Sequence, residues 1–122
     1  MTLRSWRLTF WVALAVQFLA LYWPRTPGID TGLPLDKLVH IVLFATVAML
    51  GVLAGLPLGW LVLGLVAQAA ISELVQSLLP ARGADLMDFL ADLLGVAFGL
   101  GVGVLLRSRF RDRAPQDVPG GH

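Results

Sequence analysis

Three short runs of polar side chains interrupt an otherwise apolar sequence. Each run contains residues three or four positions apart, a spacing that places side chains on one face of a helix. The runs are Asp36, Lys37 and His40, then Ser72, Glu73 and Gln76, and then Asp85, Asp88 and Asp92. Carboxyl, imidazole and amide groups brought together in this way can exchange protons, pair with cations or hold a polar ligand.

The composition indicates that these runs lie in a membrane protein. Of 122 residues, 57% are hydrophobic and only 14% are charged, and the mean hydropathy is +0.81. A soluble domain carries roughly 25% charged residues, and a small one buries only about 60–70% of its surface. The bilayer is therefore the natural solvent for this chain. The absence of cysteine excludes disulfides, thiolate metal sites and cysteine nucleophiles.

Four apolar stretches predict an all-α fold, an integral membrane four-helix bundle. We expect helices at about residues 8–23, 38–55, 58–79 and 86–106, with all seven prolines outside them. Residues 1–106 form one transmembrane domain, and residues 107–122 form an Arg-, Pro- and Gly-rich tail. The first stretch resembles a signal peptide but lacks a small-residue cleavage site, so we expect a retained helix.

The basic residues predict the orientation of the helices. Six of them flank one side of the predicted bundle, at the N-terminus (Arg4 and Arg7) and in the C-terminal tail. The other side has only Arg25, Lys37 and Arg82. Lys and Arg accumulate on the cytoplasmic side, so both termini are predicted to be cytoplasmic. The three polar runs then lie toward the outward-facing end.

The helical hairpin about Arg82 sets the depth of its polar residues. Glu73 and Asp92 are nearly equidistant from Arg82 in the sequence, as are Gln76 and Asp88. Glu73 and Asp92 should therefore lie at one level, about 10 Å inside their helix ends at 1.5 Å per residue. By the same rise, His40 lies about 6 Å inside its helix. Polar groups from three helices are thus expected to meet in the outer half of the bilayer.

Small residues continue the acidic stripe of the last helix. Gly95, Gly99 and Gly103 follow Asp88 and Asp92 on the same face. Small residues at every fourth position allow close approach of helices in a membrane. The carboxylate face is therefore predicted to be the packed, interior face of this helix.

Formal charge does not balance at the outward-facing end. Six acidic residues (Asp30, Asp36, Glu73, Asp85, Asp88 and Asp92) stand against three basic ones, which gives −3 with His40 neutral. An ionised group at low dielectric needs a partner or loses its charge. We therefore expect that Glu73 or Asp92 is protonated, that His40 is charged, or that a cation binds.

The three motifs together resemble those of the VanZ-like family of bacterial membrane proteins. They are Asp36-Lys37-Leu38-Val39-His40, Ser72-Glu73-Leu74-Val75-Gln76, and a turn and helix with Pro80, Arg82, Asp85 and Asp88. The likeness spans residues 35–103, with Asp92 in place of the family's usual Asn. It implies a location in the bacterial inner membrane, a cell-envelope role and tolerance of glycopeptides of the teicoplanin type, through a lipid-linked or glycopeptide ligand.

The residues expected to bind such a ligand belong to the polar runs and the turn between the last two helices. They are Asp36, Lys37, His40, Glu73, Gln76, Arg82, Asp85, Asp88 and Asp92. His40, Glu73 and Asp92 are the candidates for catalysis. The alternative to function is structural: hydrogen bonds between helices and ordinary interfacial ion pairs. Ionisable residues inside spans are costly and usually mark function, which favours a site.

Three functions fit this site. The chain could bind an envelope ligand, act on a phospho- or acyl-lipid with His40 and Glu73 as acid and base, or carry protons or cations as a homo-oligomer. We predict no cofactor, because a single histidine argues against zinc, although the carboxylates leave a hard divalent cation open. The membrane lipids are expected partners. No nucleic-acid motif and no nucleophile elbow is present.

Overall fold

The computed structural model describes residues 2–22, 35–78 and 86–113, which form four helices and no strand. The helices are α1 (Leu3–Tyr22), α2 (Leu35–Leu53), α3 (Leu58–Ser77) and α4 (Leu86–Arg113). The predicted all-helical fold with four helices is confirmed for these ranges. None of the helices contains a proline, whose ring would break the backbone hydrogen bonding.

Three of these helices, α1, α3 and α4, are long and apolar enough to cross a membrane. In α2 the apolar part is the shorter segment Lys37–Leu53. Many large apolar side chains point outward, among them Trp60 at 75% exposure and Phe98 at 65%. An apolar outer surface of this extent is compatible with a multi-pass membrane protein, because lipid and not water would cover it.

Two helices extend beyond the boundaries predicted from the apolar stretches. α1 begins at Leu3 rather than residue 8, and the Thr2 hydroxyl accepts a hydrogen bond from the Ser5 amide at 3.2 Å, which is an N-cap contact. α4 continues to Arg113 rather than ending at residue 106. Apolar content decides where lipid can cover a helix, whereas capping groups and prolines decide where the helix ends.

The α2–α3 connection is a tight hairpin, as predicted. Gly55 has a φ of +77°, a left-handed conformation that costs glycine little. Its amide bonds to the Val52 carbonyl at 3.0 Å, and the Leu56 amide bonds to the Gly51 carbonyl at 3.1 Å. This pair of bonds closes the C-terminus of α2 as a Schellman motif, after which α3 begins directly.

The closest packing in the bundle joins α2 to α4. A Cβ atom added at Gly95 would lie 2.5 Å from the Ile41 carbonyl oxygen, and one at Gly99 would overlap the Ala45 carbonyl. Both residue numbers rise together along the two helices, so α2 and α4 run parallel. The prediction of an interior glycine face is confirmed. This contact places the first turns of both helices at the same end of the bundle.

The opposite end of the bundle joins both termini of the described chain to the hairpin. The Trp6 and Phe110 rings stack with centroids 6.3 Å apart. The Arg7 Nε donates to the Ala54 carbonyl at 3.3 Å. The start of α1, the α2–α3 turn and the end of α4 therefore share one end, as the sequence predicted, and the polar residues of α2 and α4 lie at the other.

α1 and α3 stand apart along much of their length. An apolar groove of about 320 Å³ lies between them, with Phe10, Trp11 and Gly64 among its lining residues. Its end is bridged by a buried hydrogen bond of 2.7 Å from Gln68 Nε2 to Gln17 Oε1. Polar side chains thus tie α1 to α3 where backbone contact is sparse.

Candidate functional site

A histidine and an aspartate from the two parallel helices form the centre of the site. His40 lies in the second turn of α2, and Asp92 lies in the second turn of α4. His40 Nδ1 and Asp92 Oδ1 are 2.6 Å apart. Both side chains are almost fully enclosed, at 1% and 0% exposure. A hydrogen bond this short between a buried carboxyl and an imidazole is typical of a charge-assisted pair.

Glu73 of α3 completes a three-helix cluster with this pair. One ligand atom from each of His40, Glu73 and Asp92 lies within 4.8 Å of the other two. All three residues are buried. The structure therefore places Glu73 and Asp92 together, in agreement with their predicted equal depth. We call His40, Glu73 and Asp92 the buried triad.

A second carboxylate, Asp88, lies on the other side of the imidazole. Asp88 Oδ2 is 3.9 Å from His40 Nε2, and Asp88 Oδ1 accepts a hydrogen bond from Lys37 Nζ at 3.3 Å. The Lys37 side chain is 37% exposed, whereas that of Asp88 is only 10% exposed. Lys37 and Asp88 thus form an outer rim above the buried triad, with Lys37 as the group that faces outward.

Negative groups outnumber positive ones among these five residues. Three carboxyl groups (Asp88, Asp92 and Glu73) lie near the His40 imidazole, and the Lys37 ammonium pairs with one of them, Asp88. In addition, Asp92 Oδ2 is buried and has no hydrogen-bond partner among the described residues. Uncompensated carboxylate oxygens are costly at low dielectric. The site therefore has the composition to take up a proton or a cation.

Helix α1 contributes to the same end of the bundle, which sequence reasoning missed. The Tyr22 and Ser72 hydroxyl groups are 3.2 Å apart, and Gln76 Nε2 donates to the Leu21 carbonyl at 3.0 Å. Gln17 is fully buried. A lone amide in the middle of an apolar helix was the available signal for Gln17, because such a residue needs a partner in another helix.

Five of the nine predicted binding residues (Lys37, His40, Glu73, Asp88 and Asp92) meet at one place in the structure. Gln76 is buried at the same end of α3, with its amide bonded to α1. The side chain of Asp36 and the predicted turn residues Arg82 and Asp85 lie outside the described residues. Ligand binding by any of them stays a prediction.

The fold and the site together define the class of protein. In its described residues, the chain is an all-helical bundle with three helices able to cross a membrane and a buried histidine–carboxylate cluster near one end. Searches against family models, curated proteins and solved structures give no match to this chain.

Proposed function

We propose that this chain is a VanZ-like multi-pass protein of the bacterial inner membrane that binds a lipid-linked or glycopeptide-type envelope ligand at its outward-facing end. Both termini lie in the cytoplasm in this proposal, and binding contributes to glycopeptide tolerance. The observation that carries it is the polar end of the bundle, where the partly exposed Lys37 stands above a buried layer of ionisable groups from three helices.

The rim suits recognition of an anionic head group. Lys37 Nζ is held by Asp88 at 3.3 Å but remains exposed enough to donate to a further acceptor, since an ammonium has three donors. Phosphate and carboxylate groups of envelope ligands are such acceptors. Arg82, in the segment that follows α3, would add a planar donor suited to bidentate contact with phosphate.

The buried triad positions the rim residues Asp88 and Lys37. It is too enclosed for a large ligand, with His40 and Asp92 almost fully covered. Its contribution is positional: Asp92 orients His40, His40 faces Asp88, and Asp88 holds Lys37. This chain of contacts fixes the position of the one exposed ammonium in the described part of the cluster.

Direct binding measurements test the proposal. Purified full-length protein in nanodiscs is titrated with a glycopeptide of the teicoplanin type and, separately, with a lipid-linked pyrophosphate precursor. We expect saturable binding of at least one of them, weakened about 10–100-fold by Lys37→Gln or Arg82→Ala, as befits loss of a charged hydrogen bond worth about 1.5–3 kcal/mol. Arg111→Gln removes a positive charge at the opposite end and serves as the matched control. Non-saturable signal with both ligands in the wild type contradicts the proposal.

A deletion strain tests the cellular role. Loss of the protein should raise glycopeptide susceptibility, and the wild-type chain should restore tolerance. Complementation with Lys37→Gln should fail, whereas complementation with Arg111→Gln should succeed. Equal restoration of tolerance by both variants would show that the rim is not the ligand-binding surface.

One observation favours an enzyme as the second candidate. The 2.6 Å contact with Asp92 fixes the His40 imidazole by one nitrogen, which is how a carboxylate orients a general base. In an acid–base reaction on a phospho- or acyl-lipid, one of His40 and Glu73 would accept a proton from the reacting groups and the other would donate a proton to them. Glu73→Gln would then abolish turnover without weakening ligand binding, whereas under pure binding it would change neither.

A further inference from the structure

The buried triad combines one nitrogen and two carboxylate donors from three different helices. Their ligand atoms lie within 4.8 Å of one another. In a tetrahedral site with bonds of about 2.0–2.1 Å, neighbouring ligand atoms are about 3.3 Å apart. To reach this spacing, the ligand atoms that are farthest apart would move closer by up to about 1.5 Å, and the 2.6 Å contact between His40 Nδ1 and Asp92 Oδ1 would open.

An independent observation points to a missing positive charge at the same place. Asp92 has 0% exposure, so water does not reach its carboxyl group. Its Oδ2 atom nevertheless has no hydrogen-bond partner among the described residues. An unsatisfied carboxylate oxygen in such surroundings is costly. A cation between Asp92 and its neighbours would satisfy this oxygen.

From these observations we propose that His40, Glu73 and Asp92 bind one first-row divalent transition-metal cation, for which Zn²⁺ is the probe of choice. An imidazole ligand favours zinc, iron or nickel over magnesium and calcium, which take six to eight oxygens. Three protein ligands leave a fourth position for water, as in catalytic zinc sites.

The groups around the imidazole suit this assignment. Nδ1 lies 2.6 Å from Asp92 Oδ1, so Nδ1 is the nitrogen that would bind a metal shared with Asp92. From a state with one proton shared between Nδ1 and Asp92 Oδ1 and a second proton on Nε2, the cation replaces the shared proton, which is released to solvent. Nε2 then carries the remaining ring proton toward Asp88 Oδ2, 3.9 Å away. Metal-bound histidines ordinarily donate their second nitrogen to a carboxylate in this way.

Zinc binding by the purified, tag-free full-length protein tests the site. The protein is stripped with a chelator, reloaded with Zn²⁺ and analysed for bound metal, and Co²⁺ replacement reports the coordination geometry by visible absorption. We expect one Zn²⁺ per chain and an increase in Tm on loading. His40→Gln should remove this binding, and Asp88→Asn should weaken it about 10–100-fold.

The other histidine of the chain provides the matched control. The sequence has only two histidines, so His122→Gln should retain one Zn²⁺ per chain, whereas loss of binding in this variant would move the metal to the C-terminus and overturn the site. Less than stoichiometric Zn²⁺ in the folded wild type overturns it without reference to any variant. Equal binding by wild type and His40→Gln does so as well.

The metal site and the proposed envelope ligand can fail separately. Zinc content is measured without glycopeptide or lipid precursor, and ligand titration uses Lys37→Gln, a residue outside the buried triad. If the protein binds zinc but no envelope ligand, the metal site stands and the proposed function is wrong. If it binds an envelope ligand but no zinc, the proposed function stands and the metal site is wrong.

Discussion

His40 Nδ1 and Asp92 Oδ1 lie 2.6 Å apart although 52 residues separate them in the chain. The contact exists because α2 and α4 run parallel and nearly touch along three glycines, which puts the second turns of both helices at one level. It is also the most enclosed polar contact of the site, since neither side chain exceeds 1% exposure. Stability and chemistry at this end of the bundle therefore both depend on it.

Removal of one partner from this pair should be strongly destabilising. Asp92→Ala leaves the buried His40 without its hydrogen-bond partner, and we expect a loss of about 3–5 kcal/mol in the free energy of unfolding. Asp92→Asn keeps an acceptor oxygen and should cost less, about 1–3 kcal/mol. Denaturation of the detergent-solubilised protein, followed by circular dichroism, measures both. Asp112→Asn, an exposed carboxylate on the same helix, should unfold like wild type.

The glycine contact between α2 and α4 should be intolerant of a single methyl group. Gly99→Ala places its Cβ against the Ala45 backbone, which cannot move without its helix, and overpacking of this kind costs about 1–3 kcal/mol. Gly101 has nothing within 4 Å of an added Cβ. Gly101→Ala should therefore be neutral or stabilising by up to about 1 kcal/mol, through helix propensity alone. Thermal unfolding of the two variants side by side makes the comparison, and equal effects would argue against the close helix contact.

The bond between Gln17 and Gln68 should show coupling between α1 and α3. Gln68→Leu leaves a second polar group of Gln17 buried and unpaired, because Gln17 Nε2 already lacks a partner among the described residues. Replacement of both residues by leucine removes every polar atom of the pair, so the double variant should be more stable than Gln68→Leu alone. A double-mutant cycle measures this, with a coupling of about 0.6 kcal/mol expected for a hydrogen bond between membrane helices. Strict additivity would mean that the bond contributes nothing.

The proposed orientation can be read by cysteine labelling, since the chain has no native cysteine. A cysteine at Asp85 should react with an impermeant maleimide in intact cells. A cysteine at Arg111 should react only after permeabilisation, because Trp6, Ala54 and Phe110 place that end of α4 with the N-terminus and the α2–α3 turn. Labelling of Arg111→Cys in intact cells would show that the topology is the inverse of the proposed one, with the polar rim in the cytosol.

The sequence alone determined the helices, the tight hairpin and the level at which the polar groups meet. Apolar runs divided by prolines locate helices because proline breaks their hydrogen bonding. A regular rise per residue then converts sequence separation into depth, which paired Glu73 with Asp92. The glycine stripe identified the packed face of α4 because only small residues permit close approach of helices.

Only the tertiary structure decided which polar groups bond to one another. Spacing places side chains on a face and at a level, but bond partners depend on how helices rotate and pack. For this reason Lys37 is found with Asp88, Gln76 with the α1 backbone and Gln17 with Gln68. The structure also revealed the extension of α4 to Arg113 and the stacking of Trp6 on Phe110, a contact between residues 104 positions apart that no local pattern encodes.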